Sequence, residues 1–474
     1  MKNFNVVILG GGTAGWLTAL YLDKYFKGSN ITLIESDKIG VLGAGEGTTP
    51  HIIDCLRFLD IDIFDLIKQT GGTIKNGICF ENWNGDNKKY FHGFNDINVY
   101  TILDLLNKKI DLDKNIYSSY LSYKNKIDLH HVKSAIHFDA NKVAEYLKSI
   151  ALVRGVKLKK GEYLKIDSTK DIITKIYLKD KTSYKCDFVF DCSGFSRLLI
   201  GKHYNSKWID YTKYLTLNTA VPWKIKQDKD PKPYTQAIAM KNGWVWKIPL
   251  QHRFGSGYIY DSNYTSTDKV IEEAEKTFKT KIEPIKELKF KAGRFEKVWI
   301  GNCISVGLSS GFTEPLEATS IWLSISQLKL LENFLGDFVN TTQSVRDTYN
   351  SIVELNNEKV LAFLYLHYIT KRKDSMFWKT YLKRTDIPSE LQKILSKIED
   401  GTLNNLDVTD KCNAFFGLDS WLVVSKGLGL IKKTKDMRFY NVITPYETYK
   451  HEMKEWEKES VLHKDFLREH ELPR

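Results

Sequence analysis

The sequence predicts an α/β fold, with a parallel sheet at the front of the chain and a helical C-terminal third. Three observations carry this. Asn5-Val6-Val7-Ile8-Leu9 is a short apolar run that suits a buried parallel strand. It leads directly into Gly10-Gly11-Gly12-Thr13-Ala14-Gly15, and Trp16 to Phe26 then has helical periodicity. Far downstream, Ser344 to Lys371 and Ser389 to Glu399 have helical apolar spacing, and Tyr446 to Glu471 is a charged stretch whose apolar side is Trp456, Leu462 and Phe466.

The composition narrows the class. At 474 residues, 42% hydrophobic and 27% charged, the chain can bury a sizeable globular core. The net charge of +12 comes mostly from lysines scattered along the chain. A nucleic-acid binder would cluster its basic residues around a reading motif, so no nucleic-acid partner is expected. Cys55, Cys79, Cys186, Cys192, Cys303 and Cys412 include no C-x-x-C pair, which suits buried thiols in a reducing compartment and no metal site. Asn3 to Leu22 is uncharged, but its glycines break the apolar run where a phosphate loop would sit. A soluble cytoplasmic protein with no membrane partner is expected.

The first elements read as a dinucleotide-binding unit. Ile31-Thr32-Leu33-Ile34-Glu35 is a second strand ending in an acid, followed by Ser36. Gly10 permits the tight turn, Gly12 lets a pyrophosphate approach the backbone, and Gly15 lets helix and strand pack closely. The amides of Thr13 and Ala14 open the helix and favour phosphate, and Glu35 is placed to accept from a ribose hydroxyl. Two later apolar runs end in glycine: Val189 to Gly194, containing Asp191, and Cys303 to Gly307. Returning strands so far apart suit FAD more than NAD, because the longer cofactor touches distant segments. Gly40 to Pro50 has glycines at 40, 43, 45 and 47, and Gly45, Glu46 and Gly47 are candidate cofactor contacts; a flexible connector is the plainer reading.

Four further features bear on chemistry. Lys75 stands in the glycine-rich stretch Gly71 to Gly77, as a snorkelling surface residue or a buried functional amine. In Gly243-Trp244-Val245-Trp246-Lys247-Ile248-Pro249, two indoles share one strand face, as core aromatics or as a wall between compartments. Phe312 to Leu323 starts a helix after Pro315, with Glu317 in its first turn and amides at Thr319 and Ser320 that can bind a small anion. His92-Gly93-Phe94 and Phe415 to Trp421 are aromatic clusters, as core or as walls of a flat apolar pocket.

In order, G-x-G-x-x-G, G-E-G-T, Lys75, W-x-W-x-I-P and G-L-S-S-x-F-x-E-P-L-E-x-T resemble the flavin-dependent tryptophan halogenases over about residues 4 to 430. The resemblance implies an FAD-binding Rossmann-like module of the glutathione-reductase/aromatic-hydroxylase type, with mixed β-sheet and a C-terminal helical substrate subdomain. Residues 1–340 would form the FAD module, with substrate-facing sheet segments at about 80–135 and 205–300. Residues 341–474 would cover the substrate site. It further implies reduced FAD (FADH2) from a separate flavin reductase, oxygen, and a halide (chloride, bromide or iodide) held near Thr319 and Ser320. Hypohalous acid would travel to Lys75 and halogenate a small aromatic substrate held away from the flavin. Glu317 would stabilise the cationic intermediate or accept the ring proton, and would favour the ammonium form of Lys75. His92, Phe94 and Trp421 would sandwich the substrate, and Trp244 and Trp246 would partition it from the flavin.

The chain departs from the family pattern at two places. Ser320 stands where the family commonly has Gly, and Thr409 to Phe416 contains no tyrosine to hold an amino-acid end. The substrate expected is therefore an indole or another electron-rich aromatic rather than free tryptophan. A flavin-dependent aromatic hydroxylase and a non-catalytic flavin-binding protein are the alternatives. A homodimer is one option for assembly.

Overall fold

The computed structural model describes residues 4–26, 28–37, 45–94, 97–226, 230–334, 342–408, 416–434 and 446–471. Asn5–Leu9 lies inside a six-stranded sheet, parallel to Asn30–Glu35 on one side and to Phe188–Asp191 on the other. Lys157–Lys160 and Cys303–Ser305 extend it in parallel, and Trp299–Ile300 closes one edge antiparallel. Val6, Val7, Ile8 and Leu9 are all buried, as expected for a strand covered on both faces. The carboxyl ends of the first, Phe188–Asp191 and Cys303–Ser305 strands therefore meet at one edge, where open α/β sheets place their ligands.

A seven-stranded mixed sheet forms the second layer. Its order is Leu288–Lys289, Thr219–Lys226, Arg253–Tyr260, Gly243–Pro249, Thr235–Met240, Gly77–Glu81, Lys89–Gly93. Trp246 lies opposite Ala237 on one neighbour and Gly257 on the other, and Trp244 lies opposite Ala239. These small partners leave room for two indoles on one pleated face.

A three-stranded antiparallel sheet joins the layers: Ala135–Asp139 sits between Gly45–Gly47 and Thr73–Lys75. It places the G-E-G-T segment and Lys75 on either side of a single strand. Gly45 packs directly on Gly255, where an added Cβ would stand 3.2 Å from the Gly255 Cα.

The C-terminal region is helical with two corrections. The helix expected over Ser344 to Lys371 is Gln343–Leu366, ending as His367 turns its ring into the interior. Tyr446 to Glu471 is not one helix. Tyr446–Trp456 is helical, Val461–Leu462 pairs with Lys126–Ile127, and a second helix covers His463–Glu469. The break follows from His463, which is fully buried and bonded to Pro231 O and Ile74 N, a docking incompatible with a solvated helix face. Two large cores result. Tyr349, Val353, Phe466 and Leu467 join the core around the six-stranded sheet, whereas Phe363, Trp378 and Trp421 join the core around the seven-stranded one. Among the described residues no helix is long and apolar enough to cross a membrane, and no acidic, histidine or cysteine cluster could hold a metal. Five of the six cysteines are described, all buried and free; Cys412 lies outside the described residues.

Candidate active site

The glycines of the first turn divide into packed and open positions. Gly10 has φ 124°, and a Cβ there would fall inside the carbonyl oxygen of Cys192. A Cβ on Gly15 would overlap Gly10 O, so both are required for strand, turn and helix to close. Gly12 has nothing within 4 Å of an added Cβ, so its backbone borders open space at the start of the Thr13–Tyr25 helix. No acidic residue occupies that helix's first turn, which leaves the amides at Thr13 and Ala14 to an anion. This is the cradle a pyrophosphate needs, and the residues present fit an FAD.

Gly307 (φ 75°) lies against Ala14, where an added Cβ would stand 2.8 Å from the Ala14 Cβ. Glu35 faces the turn with its Oε2 beside Gly11, while its Oε1 accepts from Lys148 Nζ at 2.7 Å; half-buried Ser36 follows it. Asp191, expected at the cofactor, has its carboxylate engaged by the protein itself. It is fully buried, its Oδ1 accepts from Ser193 N and Oγ, and its Oδ2 accepts from Leu199 N and Ile200 N at 2.8 and 3.0 Å. Its carboxylate organises the 193–200 turn. Of the glycine loop, Gly45, Glu46 and Gly47 are described, and Gly40 and Gly43 lie outside the described residues. Burial and Asp139 push the Glu46 carboxyl up to about 7.

Lys75 is not a surface residue: its side chain is 0% exposed. Its Nζ donates to Thr48 O at 2.8 Å, lies 5.1 Å from the Phe94 ring centroid, and would meet a Gly47 Cβ at 3.2 Å. Burial lowers its amine, Glu317 opposes that, and burial wins, leaving it at about 7. Glu317 does favour the ammonium, as expected, and with burial opposing it both forms are accessible near neutral pH.

The segment carrying Glu317 also differs from expectation. The helix begins at Thr319, not after Pro315, and its N-cap Ala318 is left-handed at φ 56°. That turn removes Glu317 from the first helical turn and sends its side chain into the interior. His92 Nδ1 lies 3.0 and 2.9 Å from the two carboxylate oxygens, and His367 Nε2 lies 2.9 Å from Oε1. Burial alone would raise Glu317; the two histidines outweigh it and hold the carboxyl at about 2. Among the described residues Thr319 Oγ1 is buried without a hydrogen-bond partner, and Ser320 lines a cavity of about 20 Å³ with Gly307, Ser310 and Thr313.

Trp244 and Trp246 are 1% and 8% exposed, with ring centroids 6.2 Å apart and planes at 65°. Tyr368 donates to Glu314 at 2.6 Å, and burial pushes that carboxyl up to about 8 against Tyr368 and Trp244. His92 and Trp421 do not form a simple pair. Phe363 stands between them, with centroids 5.6 and 4.9 Å away, and Phe416 stacks on it. Residues 409–415, including Phe415 and most of the tyrosine-free stretch, lie outside the described residues. The sequence reading missed Thr48, Glu314, Phe363 and His367. Thr48 and Glu314 stood inside recognised segments, but Thr48 acts through its carbonyl, and Phe363 and His367 lie at the end of an apolar helix with no motif.

Comparisons agree with this geometry. The tryptophan halogenase family profile matches residues 5–442. The tryptophan 7-halogenase of Lentzea aerocolonigenes is 30% identical over 454 residues, covering 87% of this chain and 85% of that protein. The tryptophan 6-halogenase of Streptomyces toxytricini is 30% identical over 478 residues, covering 90% and 89%. A flavin-dependent halogenase of Xanthomonas campestris superposes with TM-score 0.91 at 27% identity, covering 100% and 99% of the chains. One from Brevundimonas sp. BAL3 superposes with TM-score 0.88 at 26% identity, covering 98% and 99%. With its phosphate turn, buried lysine and paired indoles in one body, this chain belongs to the tryptophan halogenase family, whose enzymes are flavin-dependent.

Proposed function

We propose that the protein halogenates an indole or another electron-rich aromatic at a buried site centred on Lys75 and Glu317. The observation that carries this reading is Lys75 itself: a fully buried amine held by the carbonyl of Thr48, which directly follows the Gly45–Gly47 strand. Reduced FAD, supplied by a separate reductase, would give two electrons to oxygen, which would take the other two from halide to form hypohalous acid.

This chain's residues do the rest. The open backbone at Gly12 and the amides of Thr13 and Ala14 receive the pyrophosphate, with Gly10, Gly15, Asp191 and Gly307 shaping the turn. The amides of Thr319 and Ser320, beside the small cavity, receive a halide. Trp244 and Trp246 exclude the substrate from the flavin compartment, so the oxidant must travel through the protein to reach it. Lys75 receives it. As an ammonium it hydrogen-bonds and polarises hypohalous acid; as a neutral amine it is nucleophilic enough to take the halogen. His92, Phe94 and Trp421 hold the aromatic ring, with Phe363 as a further wall. Glu317, kept ionised, stabilises positive charge developing on that ring and accepts its proton.

The test is product analysis. Wild type with a flavin reductase, NADH, FAD, oxygen and bromide is offered a panel of indoles and phenols. Brominated product is expected, and none from Lys75→Ala with flavin binding intact. A hydroxylated, halogen-free product would replace the reading with that of a hydroxylase. Flavin binding without product, across the panel and all three halides, would leave a flavin-binding protein.

A further inference from the structure

Glu317 is bracketed by two imidazoles, and the second of them is informative. His367 is fully buried at the end of the Gln343–Leu366 helix. Its Nδ1 lies 3.0 Å from Phe363 O. A carbonyl only accepts, so Nδ1 carries a proton. Its Nε2 lies 2.9 Å from Glu317 Oε1, within ion-pair distance though outside hydrogen-bond geometry. A neutral imidazole would set the partial negative charge of Nε2 against the carboxylate at that distance, so the ring carries a proton there as well. The His92 Nδ1 already spans both carboxylate oxygens as a donor, which favours the ionised carboxylate and leaves the second proton on His367. The surroundings suit a cation: the rings of Phe80, Phe363 and Trp83 stand 4.7, 5.4 and 5.9 Å from the imidazole.

We propose that His367 is a positioning residue for the halogenation site, an imidazolium that pins the Glu317 carboxylate in place and keeps it ionised. This rests on the functional reading above. The titratable groups facing Glu317 are Lys75 on Thr73–Lys75, Tyr90 and His92 on Lys89–Gly93, and His367; Asp419 on the Leu418–Gly427 helix faces His92 from the other side. Among these groups His367 is a fully buried countercharge that touches the carboxylate and has no stacking role toward substrate.

The test compares His367→Leu and His367→Gln. Gln places an amide donor near the Nε2 position but carries no charge. We expect turnover by His367→Leu to fall at least tenfold at neutral pH with little change in substrate KM, and His367→Gln to recover most of it. In both variants the acid limb of the pH–rate profile moves up by at least one pH unit. Infrared spectroscopy reads the same event without turnover: the protonated-carboxyl band of Glu317, assigned by its loss in Glu317→Gln, appears at a pH at least one unit higher than in wild type. If His367→Leu does not fold, His367→Gln carries the limb and the band alone. An unmoved limb and an unmoved band overturn the proposal, whatever happens to turnover. Wild type that makes no halogenated product overturns the functional reading instead, and the infrared result still decides the charge of His367.

Discussion

Replacing Lys75 with methionine should stabilise the protein at neutral pH and destabilise it in alkali. The lysine's amine falls from 10.5 to about 7 on folding, and its side chain is fully buried. Its folded pKa is depressed, so the unfolded chain binds the extra proton. The resulting penalty is complete below pH 7, shrinks as pH rises, and vanishes near 10.5. At about 1.4 kcal/mol per pH unit, the full penalty is about 5 kcal/mol. Methionine removes it but strands the Thr48 carbonyl, which accepts the Lys75 proton at 2.8 Å; that costs about 2 kcal/mol. Lys75→Met should therefore be more stable than wild type by about 3 kcal/mol at pH 7, equal near pH 9, and less stable above it. Urea unfolding followed by tryptophan fluorescence at pH 7, 8 and 9.5 measures this, with 11 tryptophans reporting. A variant less stable at pH 7, or a difference flat in pH, would refute the picture of a buried amine poised near neutrality.

Three further outcomes follow from the geometry. Gly12→Ala, whose Cβ meets nothing, should fold normally yet bind FAD at least tenfold more weakly, whereas Gly10→Ala should lose both fold and flavin; fluorescence titration and thermal melts separate the two. Gly257→Ala drives a methyl into the Trp246 ring, so stability should drop by about 1–3 kcal/mol and more oxygen should be consumed per halogenated product; unchanged coupling would argue against Trp246 as part of a partition. Asp191→Asn leaves backbone N–H groups at either Ser193 or Leu199 and Ile200 without an acceptor, and urea unfolding should register a loss of about 3 kcal/mol, with flavin lost alongside.

Local chemistry was enough for much of this protein. The strand–glycine–helix–strand–acid order is legible because each residue's role is set by its neighbours: Gly10 must take a positive φ, and an all-apolar run must be covered on both faces. The ordered motifs also marked Lys75, Glu317 and the two tryptophans, and with them the family. Boundaries were less legible. Ala318 adopts a left-handed conformation that no local preference favours, and the charged C-terminal stretch breaks because His463 finds partners more than two hundred residues away.

What tertiary structure alone decided is the electrostatics. Whether a lysine among glycines is exposed depends on which strands enclose it, and here a sheet joining two layers removes it from water altogether. The charge on Glu317 depends on His92 and His367, 225 and 50 residues from it in the chain and within 3.0 Å in space. Motif order along a chain specifies which groups are present. The distances that set their proton affinities arise only when the sheet and the C-terminal helices close around them.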